Sequence, residues 1–466
     1  MQRVWFFKMN LEPGEREEAN IPSMQNASSE CRAKGRNSRT ESMPEGIRKE
    51  EIVSSFWTNL NASDRMGRPQ TKHLRSMLTI QDTRRNIDDM TYARARLWLG
   101  ISGVGFFVTA SAAALWFNLP RRVLGGSSSL SAITLTLTIY ILLSFPLDLL
   151  GGYLLPRRYH RTNSNLPSFL RSWLQGIFFQ ALIMGLCAFI ILQTASRGGT
   201  LVGIGVFVIL MLCLLQGQLA VAKLVGALKR SSTRPPDSMQ YSSGRHLRQP
   251  EILVFQSTDP AFVGGLVGLP GKEKLILPSA WLEHLSADVM MMQVTRRLGV
   301  LATGTRARGI GLAVVWNVVG FTLASQLPSA NLTNATGLIN VGLWFTLWSF
   351  VGLLLLPTLN RPGVLEADRF ALSRGIGEKT IRRGMIDLDR LQDDEPDRSR
   401  WIERVFHPVP SVTNRMEALQ SGTGKRGAWQ SARITLYLSW ACFGFLSRAV
   451  HCNVGRPELW VLFPGD

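Results

Sequence analysis

Six histidines, His73, His160, His246, His284, His407 and His451, are spread along the chain, and no two of them stand three or four residues apart. A catalytic zinc gripped from one helix needs two imidazoles on one face, one turn apart, with a carboxylate between them to activate bound water. No stretch of this sequence supplies that pair. A cation site could be assembled only from distant residues such as His284, His407 and Asp368; surface or capping histidines are the simpler reading. Cys31, Cys187, Cys213, Cys442 and Cys452 form no CxxC pair, so neither a disulfide framework nor a cysteine-rich zinc site is expected. The turn 264-GGLVGLPGKEK-274 looks phosphate-binding, yet Leu266 stands where that pattern needs its first glycine and Glu273 where it needs Ser or Thr. Neither GxSG nor GxGD is present for intramembrane proteolysis.

The elements that must carry any site are legible from hydropathy and charge. Apolar residues make up 45% of the 466-residue chain. Six stretches approach the roughly 20 mostly apolar residues that cross a bilayer as a helix. They are 97–117, 129–150, 173–194, 201–224, 309–326 and 338–356. A seventh run, 434–450, is shorter and broken by Arg448, which predicts a peripheral or interfacial segment. The formal charge of +19 does not imply a nucleic-acid partner, because Lys and Arg cluster in loops beside the apolar runs. With the N-terminus inside, the inner loops collect Arg94, Arg96, Arg157, Arg158, Arg161, Arg171, Lys229 and Arg230, against Arg121, Arg122 and Arg197 outside. Asp148, Gln216, Gln218 and Asn317 fall inside or beside apolar runs, where polar groups face protein or water. They read as interhelical hydrogen-bond partners, or as the lining of a chamber.

Residues 1–89 are polar and rich in Ser, Arg and Glu, which predicts a disordered tail; alternatively Met90 opens directly onto the first span. A four-span region (90–225), a polar region (226–308), a two-span pair (309–357), a second polar region (358–432) and the C-terminal segment (433–466) follow. Strand-like pieces, 252-ILVF-255 and 274-KLILP-278, mark the first polar region. Helical, charged sequence with a break at 408-PVP-410 marks the second. Two spans separate these regions, so both emerge on one face, the cytoplasmic one, and can pack together. The expected class is mostly α: a multi-pass helical protein of about six spans in the cell (inner) membrane, with lipid as its surrounding partner.

Four stretches have a family likeness: 145-FPLDLLGGYLLPRRY-159, 256-QSTDPAFVGGLVGLPGKEKLILPSAWLEHL-285, 364-VLEADRFAL-372 and 407-HPVPSVTNRMEAL-419. In their order and spacing around the spans, over about residues 97–420, the chain resembles the integral-membrane zinc metallopeptidases that include the CaaX prenyl endopeptidases and HtpX. The resemblance implies a zinc cofactor, proteolysis, and a cytoplasmic metallopeptidase-like α+β domain made of the two polar regions. It also implies a HExxH helix before the fifth span and an ExxAD helix after the sixth. Aligned from Asp288, the two histidine positions fall on Thr295 and Gly299 and the general base on Arg296. A shift of two residues puts Gln293, Val294 and Arg297 there instead. The ExxAD ligand position falls on Val364, while Ala367 and Asp368 are kept, and His407 and Arg415 match the family's HP…R segment with a longer spacing between them.

Asp368, His407 and Arg415 are thus the retained positions, Thr295, Arg296, Gly299 and Val364 the vestigial zinc positions, and no metal ligand set is expected. An ion pair between Arg296 or Arg297 and Glu366 or Asp368 is expected to replace zinc as the bridge between the two helices. The sequence predicts a pseudopeptidase that binds a peptide or membrane-protein partner. The alternative is an active zinc metalloendopeptidase with non-standard ligands, and a third reading is a carrier or channel built on Asp148 and the span glutamines.

Overall fold

The computed structural model describes residues 90–233, 250–392, 398, 403–404, 406–422 and 425–462. The tail expected at 1–89 lies outside the described residues. Among the described residues, five helices are long and apolar enough to cross a membrane. Those used below are α1 (Tyr92–Trp116), α2 (Ser129–Leu149), α3 (Leu166–Gln216), α5 (Thr305–Ser325) and α6 (Ala335–Ser373), with α4 (Ala287–Ala302) preceding α5. Helices α7 (Glu378–Leu391), α8 (Val412–Gln420) and α9 (Ser431–Leu438) complete the set. Leu130 on α2 and Phe178 on α3 are 64% and 62% exposed, as expected of faces turned to lipid.

The third and fourth expected spans share the single 51-residue helix α3, whose backbone leaves helical geometry at Gly199 (φ 80, ψ 177). Eight residues of straight helix would separate Ala195 from Gly203 by about 12 Å. Instead, a Cβ placed on Gly203 would lie 2.9 Å from that of Ala195. The helix therefore folds back on itself, and one glycine makes the turn where a loop was expected. Helix α6 is longer than the span 338–356. It starts with the Asn334 side chain accepting from the Gly337 amide and runs through Pro357 and Pro362. The boundary expected at residue 357 falls within it, so Val364, Glu366 and Asp368 ride on an extension of a spanning helix.

The two strand-like pieces form β2 (Glu251–Gln256) and β4 (Lys274–Pro278), which pair in parallel with Leu253 opposite Ile276. Strands β1 (Lys229–Arg230) and β3 (Gly265–Val267) add antiparallel at the two edges, in the order β1-β2-β4-β3. Alternate residues face opposite layers. Leu253, Phe255 and Ile276 join the core shared with the long helices, while Leu275 and Leu277 pack with Trp281, Leu298 and Val364. A central pair covered on both faces explains its unbroken apolar sequence. Helix α4 sits between this sheet and α6.

The C-terminal segment is not peripheral. From Gly427 to Leu462 no residue is exposed, and Tyr437, Leu438, Trp440, Ala441 and Phe443 are buried among the long helices. An interfacial segment would leave one apolar face uncovered by protein, and this one leaves none.

The reversal at Gly199 needs a backbone conformation that is essentially restricted to glycine, so Gly199→Val should cost about 1–3 kcal/mol. Gly205, with nothing within 4 Å of an added Cβ, should accept Gly205→Ala without loss. Thermal unfolding in detergent compares the two, and equal effects would contradict the turn.

Candidate functional site

Asp368 is the centre of a fully buried cluster. It projects from α6, and its Oδ1 accepts a hydrogen bond from Arg296 Nε on α4 at 2.6 Å. Arg415, on α8, approaches side-on: its Nε donates to Oδ2 at 2.8 Å and its Nη2 to Oδ1 at 2.7 Å. The three side chains are at most 2% exposed. This two-pronged guanidinium contact is the strongest form of carboxylate pairing. Gln293 joins the cluster, its Oε1 accepting from Arg296 Nη1 at 3.0 Å. Gln293 in turn donates to the Gly384 carbonyl on α7 at 3.4 Å. Its place was readable from helical spacing, since residues three apart share a face.

Local sequence positions each member. Helix α8 is capped by Ser411, whose hydroxyl accepts from the Asn414 amide. Glu403 accepts from the Ser411 amide at 3.0 Å and from the Asn414 side chain, which fixes the start of α8 and so aims Arg415 at Asp368. Val364, one turn ahead of Asp368, packs with Leu298 and Trp281 in the apolar layer beneath. Gly299 abuts the Phe370 ring, where a Cβ would come within 2.6 Å. Thr295 is buried on the same helix.

The other expected site residues are placed elsewhere. Arg297 donates to the Val263 carbonyl at 2.9 Å and stacks over Trp281 at 4.6 Å, while Glu366 pairs with Arg308 at 2.9 Å. Successive helical residues point about 100° apart, so Arg296 and Arg297 reach different neighbours. His407 is buried with its ring 5.4 Å from that of His451, and its carbonyl accepts from Arg361. Burial, and then the positive fields of Arg398, Arg433 and Arg361, hold its pKa well below 6.5. His284 is exposed at the end of its short helix. Among the described residues, no three of His, Cys, Asp and Glu come together in a group able to hold a metal ion.

A second buried carboxylate was only half anticipated. Asp148 Oδ2 accepts from Arg448 Nη2 at 2.7 Å and from Trp173 Nε1 at 3.0 Å, and its Oδ1 accepts from the Gly455 amide at 2.9 Å. Arg448 also donates to Gln180 Oε1 at 3.2 Å. Asp148 is therefore an internal anchor. The signal was a lone aspartate in one apolar run and a lone arginine in another, each needing the other.

Neither protein-family models nor curated proteins match this chain. Among solved structures it is similar to the crystal structure of S. mikatae Ste24p, with a TM-score of 0.54 and 14% identity, over 68% of this chain and 80% of that one. The chain thus has a Ste24p-like fold, mostly helical, with helices apolar enough to sit in a bilayer.

Proposed function

We propose that this chain is a membrane-embedded pseudopeptidase: a relative in fold of the zinc metallopeptidase Ste24p that binds a peptide or protein partner and does not cleave it. The observation that carries this reading is the cluster Arg296–Asp368–Arg415. Two guanidiniums converge on the one retained acidic position. A dication does not fit beside them, because it would meet two like charges. The positions that the family resemblance assigns to ligands carry Thr295, Gly299 and Val364, none with an imidazole or carboxylate. The guanidiniums then do mechanically what a metal would do, tying α4 and α8 to α6.

Orientation follows the same reading. Tyr159 donates to the Met90 carbonyl at 2.6 Å and Arg161 to the Arg390 carbonyl at 3.2 Å. The basic residues at the start of α1 and after α2 therefore lie on the side of α7. By the positive-inside rule that side is cytoplasmic, which puts the sheet and the cluster on the inner face of a cell membrane. A carrier or channel built on Asp148 gains no support, since both oxygens of that carboxylate are hydrogen-bonded to protein.

Asp368→Asn should destabilise the purified protein by about 3–5 kcal/mol, because it removes the carboxylate that both buried guanidiniums share. Arg296→Met should cost less on that background than alone, and simple additivity would count against a shared pair. A fluorogenic peptide library incubated with the protein should yield no hydrolysis that a chelator abolishes; chelator-sensitive cleavage would overturn the proposal.

His407 serves here as a packed neutral imidazole. A histidine whose folded pKa lies below 6.5 makes the unfolded chain bind more protons as pH falls. Its contribution is complete above pH 6.5 and is lost below it, by about 1.4 kcal/mol per pH unit down to the folded pKa. Unfolding temperature should drop between pH 7 and pH 5, and His407→Gln should flatten that drop. An unchanged profile would mean that His407 is not held neutral.

A further inference from the structure

The inner faces of α1, α2, α3, α5 and α6 surround residues 428–462, and these faces are shaped for that occupant. Glycines approach it from several sides. A Cβ on Gly100 of α1 would collide with the His451 backbone, one on Gly152 after α2 with the Gly455 carbonyl, and one on Gly309 of α5 with the Trp429 carbonyl. On Gly176 of α3 it would lie 2.7 Å from Pro457, and on Gly342 of α6 2.8 Å from Phe443. At these contacts a side chain would collide with the segment, so the close approach of helix and segment requires glycine there.

Polar clasps add direction to the fit. Arg448 reaches Asp148 inside the helices, and Arg96 Nη2 donates to the His451 carbonyl at 2.7 Å. Tyr437 donates to the Leu214 carbonyl at 2.9 Å, at the end of α3. At the sheet end Arg456 forks onto Asp259, and Glu458 accepts from Ser257 and Thr258. A small cavity lined by Gly265, Leu266, Arg433, Tyr437 and Leu462 lies between the edge strand β3 and the segment.

We propose that residues 428–462 are a built-in plug: an occupant supplied by the chain itself, seated in a glycine-lined socket between the helices and against the β3 edge. The interior is closed to peptides while the plug is seated, so a partner of the closed protein binds its outer surface. This inference stands on packing alone and does not depend on whether a metal is bound.

The test uses the full-length protein in its native membrane, with the other cysteines replaced by serine or alanine. A Cβ on Gly103 lies 3.6 Å from the Ala449 Cβ, within the range of about 3.5–4.5 Å that a disulfide requires. Gly103→Cys with Ala449→Cys should therefore cross-link under mild oxidation at least about tenfold faster than Gly105→Cys with Ala449→Cys, whose glycine faces open space. In a second background retaining only Cys442, 1% exposed, a membrane-permeant maleimide should label at least about tenfold more slowly before SDS than after it. Equal cross-linking of the two pairs in a monodisperse protein, or Cys442 labelling at its SDS rate, would overturn the proposal.

Discussion

A carboxylate kept from water stays ionised only beside a cation, and two aspartates on long helices impose that demand on the whole molecule. Asp368 meets it with Arg296 and Arg415, which draws α4 and α8 onto the extension of α6. Asp148 meets it with Arg448, 300 residues away in sequence, which draws the C-terminal segment among the helices. Neither pair is a strong source of net stability, because desolvation offsets most of the attraction. Their effect is on specificity. A buried charge accepts few partners, so each aspartate selects one arrangement of elements from the many that apolar packing alone would tolerate.

That division explains what the sequence disclosed. Spanning helices announce themselves through apolar length, because lipid rewards every apolar residue they expose, and five such helices stand close to the expected stretches. Strands β2 and β4 were legible for a similar reason, being short apolar runs bounded by turn residues. The turn at Gly199 was not, since hydropathy suggested a loop around Arg197 where a single residue reverses the chain. The C-terminal segment misled in a more instructive way. Counted alone, 434–450 is a weak run spoiled by an arginine; set against Asp148, that arginine is what holds it inside.

The site divides along the same line. The family resemblance placed Arg296, Arg297, Glu366 and Asp368 in one neighbourhood. Which arginine meets which carboxylate depends on helical phase relative to a neighbouring helix, and one sequence position changes that phase by 100°. Hence Arg296 and Asp368 meet, while Arg297 turns to Trp281 and Glu366 to Arg308. Arg415 was singled out from the HP…R likeness, but its role as the second cation on Asp368 emerges only with α8 in place. Gly100, Gly176, Gly309 and Gly342 share no sequence motif that marks them as one set. Their common purpose becomes visible once the segment they admit is present.

Arg296, Asp368 and Arg415 thus hold the centre of a protein with a Ste24p-like fold, whose interior is filled by its own C-terminal segment. The proposal that guanidiniums stand where a metal would bind is tested most directly by elemental analysis. The detergent-purified protein would be dialysed against trace zinc, with a chelated sample as the blank. Zinc should be no higher than in the blank. About one zinc per chain would contradict it.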